Sequence, residues 1–120
     1  MWFAAVDVDS RDMDKARSTL KQFVRDWSVE GENERQLSYA PILNALNALY
    51  GNLSADEKFF PRTYWLISRA GIHVLVPGAG LGRILYEILR AGYTVEGNEL
   101  EFCMLMASNL ALNEYRPFPP

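Results

Sequence analysis

The chain is poor in the residues on which several classes of protein depend. Among its 120 residues there are one cysteine and one histidine. The single cysteine, Cys103, cannot form a disulfide within the chain, which is typical of proteins in a reducing compartment. No second cysteine or histidine stands at ligand spacing, which argues against a metal site. No pattern typical of a catalytic nucleophile with its base is present either.

Strong charge of one sign and long apolar runs are absent as well. The formal net charge is −3, whereas a nucleic-acid-binding domain normally carries a basic patch, so we expect no nucleic-acid partner. No stretch approaches the ~20 apolar residues of a membrane-spanning helix. The apolar residues 1–6 are too few for a signal peptide and lack a basic start. We expect no membrane partner, and a cytoplasmic location with the nucleus as a second compartment.

The most informative segment is residues 74–83, which read Val-Leu-Val-Pro-Gly-Ala-Gly-Leu-Gly-Arg. An apolar run leads into a turn with glycine at every second position, and a helical pattern begins directly afterwards. Glu99 comes 21 residues after Gly78, at the end of a second apolar run. This order predicts a nucleoside-cofactor site in a strand–helix–strand unit, where glycines admit the ligand to the backbone and the acid binds ribose hydroxyls.

The glycine spacing distinguishes between two kinds of cofactor. The dinucleotide motif places its third glycine three residues after the second, whereas Gly80 and Gly82 are two apart. The tighter loop resembles motif I of the S-adenosylmethionine-dependent methyltransferases, whose cofactor has no pyrophosphate. Those enzymes usually carry an acid two residues before the first glycine, where this chain has Val76. We therefore expect another group to hold the methionine end of the cofactor.

Hydrophobic periodicity predicts helices in the first half of the chain. A first helix, capped by Asp9 or Ser10, is expected to run to about Trp27 with its apolar residues on one buried stripe, and Gly31 is expected to end it. A second helix is expected over residues 34–50, with a kink or a fresh start near residues 38–40 because Pro41 lacks an N–H. A short helix is expected after residues 54–57 and before Pro61, and residues 64–67 could take either state.

From Ile72 the pattern predicts a strand, the glycine turn, a helix over residues 82–90, a strand over 93–98 and a helix over 100–113. A right-handed crossover would place the two strands parallel and adjacent, so that Gly78 and Glu99 lie at the same edge of the sheet.

Several segments together resemble the carnosine N-methyltransferase family. They are residues 74–83, Gly92-Tyr93, Gly97-Asn98-Glu99, Met104-Leu-Met-Ala-Ser-Asn109 with Leu112-Asn113, and, upstream, Ser18-Thr-Leu-Lys-Gln-Phe-Val-Arg-Asp-Trp-Ser28, Glu34-Arg35 and Tyr39-Ala-Pro-Ile42. The resemblance covers roughly residues 12–50 and 72–113, in the same order as in the family.

The resemblance implies an α/β fold in which an N-terminal helical region, residues 1–71, precedes the first βαβα unit of a Rossmann-like methyltransferase sheet, residues 72–120. Such a sheet has more strands than the two visible here, so we expect a truncated, first part of the enzyme. The implied cofactor is S-adenosylmethionine, and the implied reaction is N-methylation of the imidazole of carnosine to give anserine. The implied partners are a histidine-containing dipeptide as small-molecule substrate and a second copy in a homodimer.

Five residues are candidates for the cofactor site: Gln22, Arg25, Gly78, Gly80 and Glu99. Periodicity alone favours a solvated helix face for Gln22 and Arg25, but they match the cofactor-contacting glutamine and arginine of the family, and an arginine fork could hold the methionine carboxylate. One glycine would suffice for a turn, so three indicate close approach of a ligand. Glu99 alone would read as an acid at a helix start.

No catalytic residue is predicted within the chain, and Arg83 could simply form an ion pair across a helix start. Two other functions stay open. The chain could be an inactive methyltransferase fragment or interaction module, or it could methylate another histidine-containing acceptor, because the glycine loop does not encode the acceptor.

Overall fold

The computed structural model describes residues 9–53 and 69–114. The short helix predicted after residues 54–57, Pro61 and residues 64–67 lie outside these ranges. The described elements follow the predicted order, with helices first and a strand–helix–strand–helix run second. They are α1 (Ser10–Trp27), α2 (Glu32–Tyr50), a 3₁₀ turn (Arg69–Gly71), β1 (His73–Pro77), α3 (Arg83–Arg90), β2 (Thr94–Asn98) and α4 (Phe102–Asn109), which continues as a π-helix (Leu110–Glu114).

The two long helices begin and end at identifiable local signals. Asp9 caps α1, since its carboxylate accepts a hydrogen bond from the N–H of Arg11 and so satisfies a free donor of the first turn. Gly31 does not end α1 but precedes α2, and a Cβ on it would collide with the carbonyl oxygen of Arg25. Helix α2 runs from Glu32 to Tyr50 with Pro41 inside it. Of the two alternatives predicted near residues 38–40, a kink or a fresh start, the fresh start is therefore wrong.

The apolar stripe predicted for α1 is not buried as a whole. Met13, Leu20 and Val24 are exposed, whereas the buried side chains of this helix are Thr19 and Asp26. The prediction of one buried apolar stripe is therefore wrong for the described residues. In its last turns, helix α1 contacts the rest of the molecule through polar and aromatic side chains, among them Asp26 and Trp27.

Strands β1 and β2 pair in parallel, with His73 opposite Thr94 and Pro77 opposite Asn98. This confirms the predicted adjacent parallel strands, and it brings the segments that follow both strands to one end of the sheet. Beneath the sheet, Ile84 and Ile88 of α3 pack with Tyr93 in the buried core. The partly buried side chains around them come from α2, β1, β2 and the adjoining turns: Tyr39, Leu43, Leu46, Tyr50, Ile72, Val74, Val76, Ala91 and Val95.

The last helix is shorter than predicted. Helix α4 begins at Phe102, where the carboxylate of Glu101 accepts from the N–H of Met104, and residues 110–114 take the wider π-helical winding. This winding includes Leu112, whose Cδ1 atom lies against Gly82. The end of α4 is therefore packed on the glycine loop.

Gly97 offers a test of how closely β2 packs against α3 and the glycine loop. A Cβ there would lie 2.7 Å from Leu85 Cδ1 and 2.8 Å from the Cβ of Ala79. The leucine can move, but the Ala79 Cβ is fixed to the loop backbone, so we expect Gly97→Ala to lower the free energy of unfolding by about 1–3 kcal/mol. Urea unfolding measures this, with Glu96→Ala at the exposed neighbouring position as the control. Equal unfolding midpoints for the two variants would contradict the packing.

Candidate functional site

The loop between β1 and α3 takes a shape that needs glycine at three positions. Gly78, Gly80 and Gly82 have φ values of 63°, 54° and 78°, all in the left-handed region that other residues avoid. The expectation that one glycine would suffice for this turn is therefore wrong. Backbone conformation alone accounts for the presence of all three, and what lies beside each one decides whether a ligand can approach.

The three glycines have different neighbours. Among the described residues, a Cβ on Gly78 would meet no atom within 4 Å, and one on Gly80 would meet only Gln22 Nε2, at 3.8 Å. A Cβ on Gly82 would lie 2.7 Å from Leu112 Cδ1. The backbone is therefore open at the first two glycines and closed by packing at the third.

Glu99 lies against this loop, as predicted from the strand order. Its Oε2 atom accepts from the N–H of Gly80 at 2.9 Å, and its Oε1 atom accepts from the N–H groups of Leu100 and Glu101, also at 2.9 Å. The neighbouring Asn98 accepts from the N–H of Gly78 through its side chain at 3.3 Å. The residues that follow β2 thus hold the loop that follows β1.

These amides also set the charge of Glu99. The N–H groups of Glu101 and Gly80 stabilise the ionised form and hold the pKa of Glu99 below its usual range. A carboxylate has about four acceptor positions, and described backbone amides fill three of them. The fourth, on Oε2, can accept one ribose hydroxyl, and a second hydroxyl would have to displace an amide.

Gln22 and Arg25 converge on a carboxylate that the sequence did not single out. Asp26 is 1% exposed, and it accepts from Gln22 Nε2 at 3.0 Å, from Arg25 Nε at 3.4 Å and from the Tyr39 hydroxyl at 2.9 Å. Gln22 and Arg25 are both partly buried, so they do not form the fully solvated face that periodicity alone favours. Asp26 and Tyr39 both lie inside the segments that carry the family resemblance, which was the signal that could have found them.

The surroundings of Asp26 raise the pKa of its two titratable donors, Arg25 and Tyr39. Burial works to lower the pKa of Arg25, but the hydroxyl of Tyr39 and the charge of Asp26 outweigh it and raise that pKa. Burial raises the pKa of Tyr39, and its hydrogen bond to Asp26 adds to the effect. The side chain of Arg25 remains 39% exposed and has a second ion pair with Glu34 at 3.8 Å, so a charged guanidinium is available to a ligand.

Helix α1 is attached directly to the glycine loop. Trp27 Nε1 donates to the carbonyl oxygen of Leu81 at 3.3 Å, and Arg83 Nη1 donates to that of Asp26 at 3.2 Å. Of the predicted site residues, Gln22, Gly80 and Glu99 lie together at the glycine loop, next to the open backbone of Gly78. Arg25 lies one turn of α1 from Gln22 and is joined to it through Asp26.

Helices placed over a pair of parallel strands, with open glycines and an acid at one end of the pair, are consistent with the N-terminal part of a methyltransferase. The chain belongs to the carnosine N-methyltransferase family, whose model matches residues 3–117. The resemblance described from the sequence is thereby confirmed.

The chain is similar to carnosine N-methyltransferases from distant organisms. It is 48% identical to that of Rattus norvegicus over 102 residues, which are 85% of this chain and 22% of the rat protein. It is 43% identical to "Carnosine N-methyltransferase unmet" of Drosophila melanogaster over 92% of this chain and 22% of the relative. It is 43% identical to the Schizosaccharomyces pombe protein over 90% of this chain and 25% of that relative. The chain thus spans about a quarter or less of these relatives.

Residues 9–53 and 69–114 contain neither a membrane-spanning helix nor a cluster of metal-ligating side chains. None of the helices in these ranges is both long and apolar enough to cross a membrane. Within the same ranges, histidine, cysteine and acidic side chains form no group of three that could hold a metal ion.

Asp26→Ala tests the buried group. The substitution leaves the Tyr39 hydroxyl and the Gln22 amide without their buried acceptor, so we expect the free energy of unfolding to fall by about 2–4 kcal/mol. Urea unfolding is the measurement. The matched control is Asp14→Ala, which removes an ion pair with Arg17 whose partners are both exposed and should leave stability nearly unchanged. Similar losses in both variants would mean that Asp26 does not organise this group.

Glu99 gives a prediction on pH. Because its pKa is lowered in the folded chain, its contribution to stability is complete above the unfolded pKa of about 4.3 and is lost as the pH falls through the folded value. The difference in unfolding free energy between the wild type and Glu99→Gln should therefore be largest near neutral pH and shrink in acid. Urea unfolding at a series of pH values measures it, with Glu96→Gln as the exposed control. A difference that does not change with pH would contradict the prediction.

Proposed function

We propose that this chain forms part of an S-adenosylmethionine-dependent N-methyltransferase that methylates the imidazole of carnosine to give anserine. The observation that carries the proposal is the family match over residues 3–117. The relatives named above are carnosine N-methyltransferases, and most of this chain aligns with them. The open glycine loop, with Glu99 on one side and Gln22 on the other, supports a cofactor at this place.

The residues around the opening fit S-adenosylmethionine. The nucleoside would lie against Gly78 and Gly80, since a ligand can approach the backbone where described atoms leave room. Glu99 would accept a ribose hydroxyl at the remaining position of Oε2. The charged fork of Arg25 would hold the methionine carboxylate, with the amide of Gln22 beside it. These two side chains come from α1 and replace the acid that Val76 does not provide.

The cofactor supplies a methyl group on a positively charged sulfur, which is already activated for transfer. The protein then has to align the acceptor and exclude water. In this chain, α1 covers the glycine loop and would close that side of the site. The unprotonated nitrogen of a neutral imidazole is nucleophilic near pH 7, so the acceptor needs no base to activate it. The methylimidazolium that forms would then release its N–H proton to water. We assign residues 1–71 to the covering helical part and 72–120 to the first part of a Rossmann-like cofactor domain.

The test is methyl transfer by the complete gene product. With S-adenosylmethionine labelled in the methyl group and carnosine as acceptor, we expect labelled anserine, and none when the protein is omitted. Label on a histidine-containing peptide but not on carnosine would support another acceptor. Label on neither, together with no binding of the cofactor, would support the fragment or interaction module, because the sequence then has kept the fold without the activity.

Arg25→Ala tests the assignment of the methionine end. Loss of the fork should weaken S-adenosylmethionine binding by about tenfold or more in calorimetry. Lys21→Ala is the matched control, since it removes a cation from an exposed position on the same helix and should change the affinity by less than about twofold. Arg25→Lys should fall between them, because it keeps the charge and loses the fork. Equal affinities for the two alanine variants would refute the assignment.

A further inference from the structure

Arg83 occupies a position that is unfavourable for a cation. It is the first residue of α3, and the N-terminus of a helix carries partial positive charge. Its side chain is only 19% exposed and binds residues of α3 and α1. Nε and Nη2 bind Glu87 Oε1 at 2.8 and 2.6 Å, and Nη1 donates to the carbonyl oxygen of Asp26 in the last turn of α1. Each of its three nitrogens therefore already has a partner in α1 or α3.

Aromatic contacts reinforce this attachment. The guanidinium carbon of Arg83 lies 5.0 Å from the centre of the Trp27 ring and 5.5 Å from that of Tyr86, within the range of cation–π attraction. Trp27 in turn donates to the carbonyl oxygen of Leu81. We call Asp26, Trp27, Leu81 and Arg83 the α1–loop clasp, because they join the end of α1 to the residues on both sides of Gly82.

The clasp determines where two of the candidate site residues lie. Gln22 is one helical turn before Asp26 and is hydrogen-bonded to it, and Arg25 is its immediate neighbour. Because a helix moves as a unit, a shift of the last turn of α1 would carry both side chains away from Gly80. Glu99 would stay in place, since its partners are Gly80, Leu100 and Glu101.

We propose that Arg83 is a positioning residue for the methionine end of S-adenosylmethionine. It does not contact the cofactor; through the α1–loop clasp it holds Gln22 and Arg25 at the loop. The inference rests on the proposed function, because it requires the cofactor to bind here. Loss of the clasp should then affect the binding of the two halves of the ligand differently. Binding of the amino-acid half is weakened, while binding of the nucleoside half at Gly78, Gly80 and Glu99 is retained.

The test compares two ligands in calorimetry with the complete gene product: S-adenosylmethionine and 5′-methylthioadenosine, which lacks the amino-acid end. Arg83→Lys keeps the charge but loses the fork and the stacking. We expect about tenfold weaker binding of S-adenosylmethionine and less than about twofold change for methylthioadenosine. The control is Arg90→Lys, at the other end of α3, whose guanidinium also lies over the Tyr86 ring, at 5.6 Å, and which should change neither affinity.

The outcomes separate a positioning role from a purely structural one. Equal losses for both ligands, or no loss for either, overturn the proposal while leaving the proposed function standing, because the wild type still binds both. A wild type that binds neither ligand overturns both.

A second variant covers the case in which Arg83→Lys does not fold. Trp27→Phe keeps an aromatic ring beside the guanidinium and removes the indole donor to Leu81, and it should show the same selective loss. In a double variant, Arg83→Lys should add little to Arg25→Ala, because both act on the same end of the ligand. Additive losses would argue against the proposal.

Discussion

The buried carboxylate of Asp26 is the interaction on which the arrangement of helices depends. A buried charge is costly unless hydrogen bonds satisfy it, and here the donors are Gln22 and Arg25 of α1 and Tyr39 of α2. The two helices are therefore joined by polar contacts, at Asp26 and where Arg35 of α2 donates to the carbonyl oxygens of Arg25 and Ser28, and not by the buried apolar stripe that periodicity predicts. The backbone oxygen of Asp26 accepts from Arg83, so this residue also fixes α1 to the glycine loop.

A second constraint acts at the end of the sheet. Parallel pairing in register brings Pro77 opposite Asn98. Beyond the strands, the N–H of Gly78 donates to the Asn98 side chain and the N–H of Gly80 donates to Glu99. This half of the site is made by local chain geometry, whereas the other half depends on a helix about 50 residues earlier. The two halves meet where Gln22 approaches Gly80 and where Trp27 and Arg83 join the end of α1 to the glycine loop.

Sequence reasoning predicted the sheet half well, because a turn with alternating glycines and an acid after the next strand are defined by spacing along the chain. It failed where the outcome depended on tertiary contacts. Asp26 was not singled out from the sequence, because the burial of a single carboxylate against Tyr39 leaves no periodic signal. Pro41 lies within a continuous helix whose residues on both sides of it, Tyr39 and Leu43, pack against the core, and such packing can override a local preference. The π-helical end of α4 brings Leu112 onto Gly82.

The bond between Glu99 and the N–H of Gly80 holds the loop in one ordered conformation in the absence of a ligand. The conformational entropy of ordering those residues is then lost during folding and not during association. A nucleoside entering this opening would exchange its water for preformed contacts, and its rate of capture would be set by diffusion and orientation instead of by the folding of a floppy segment.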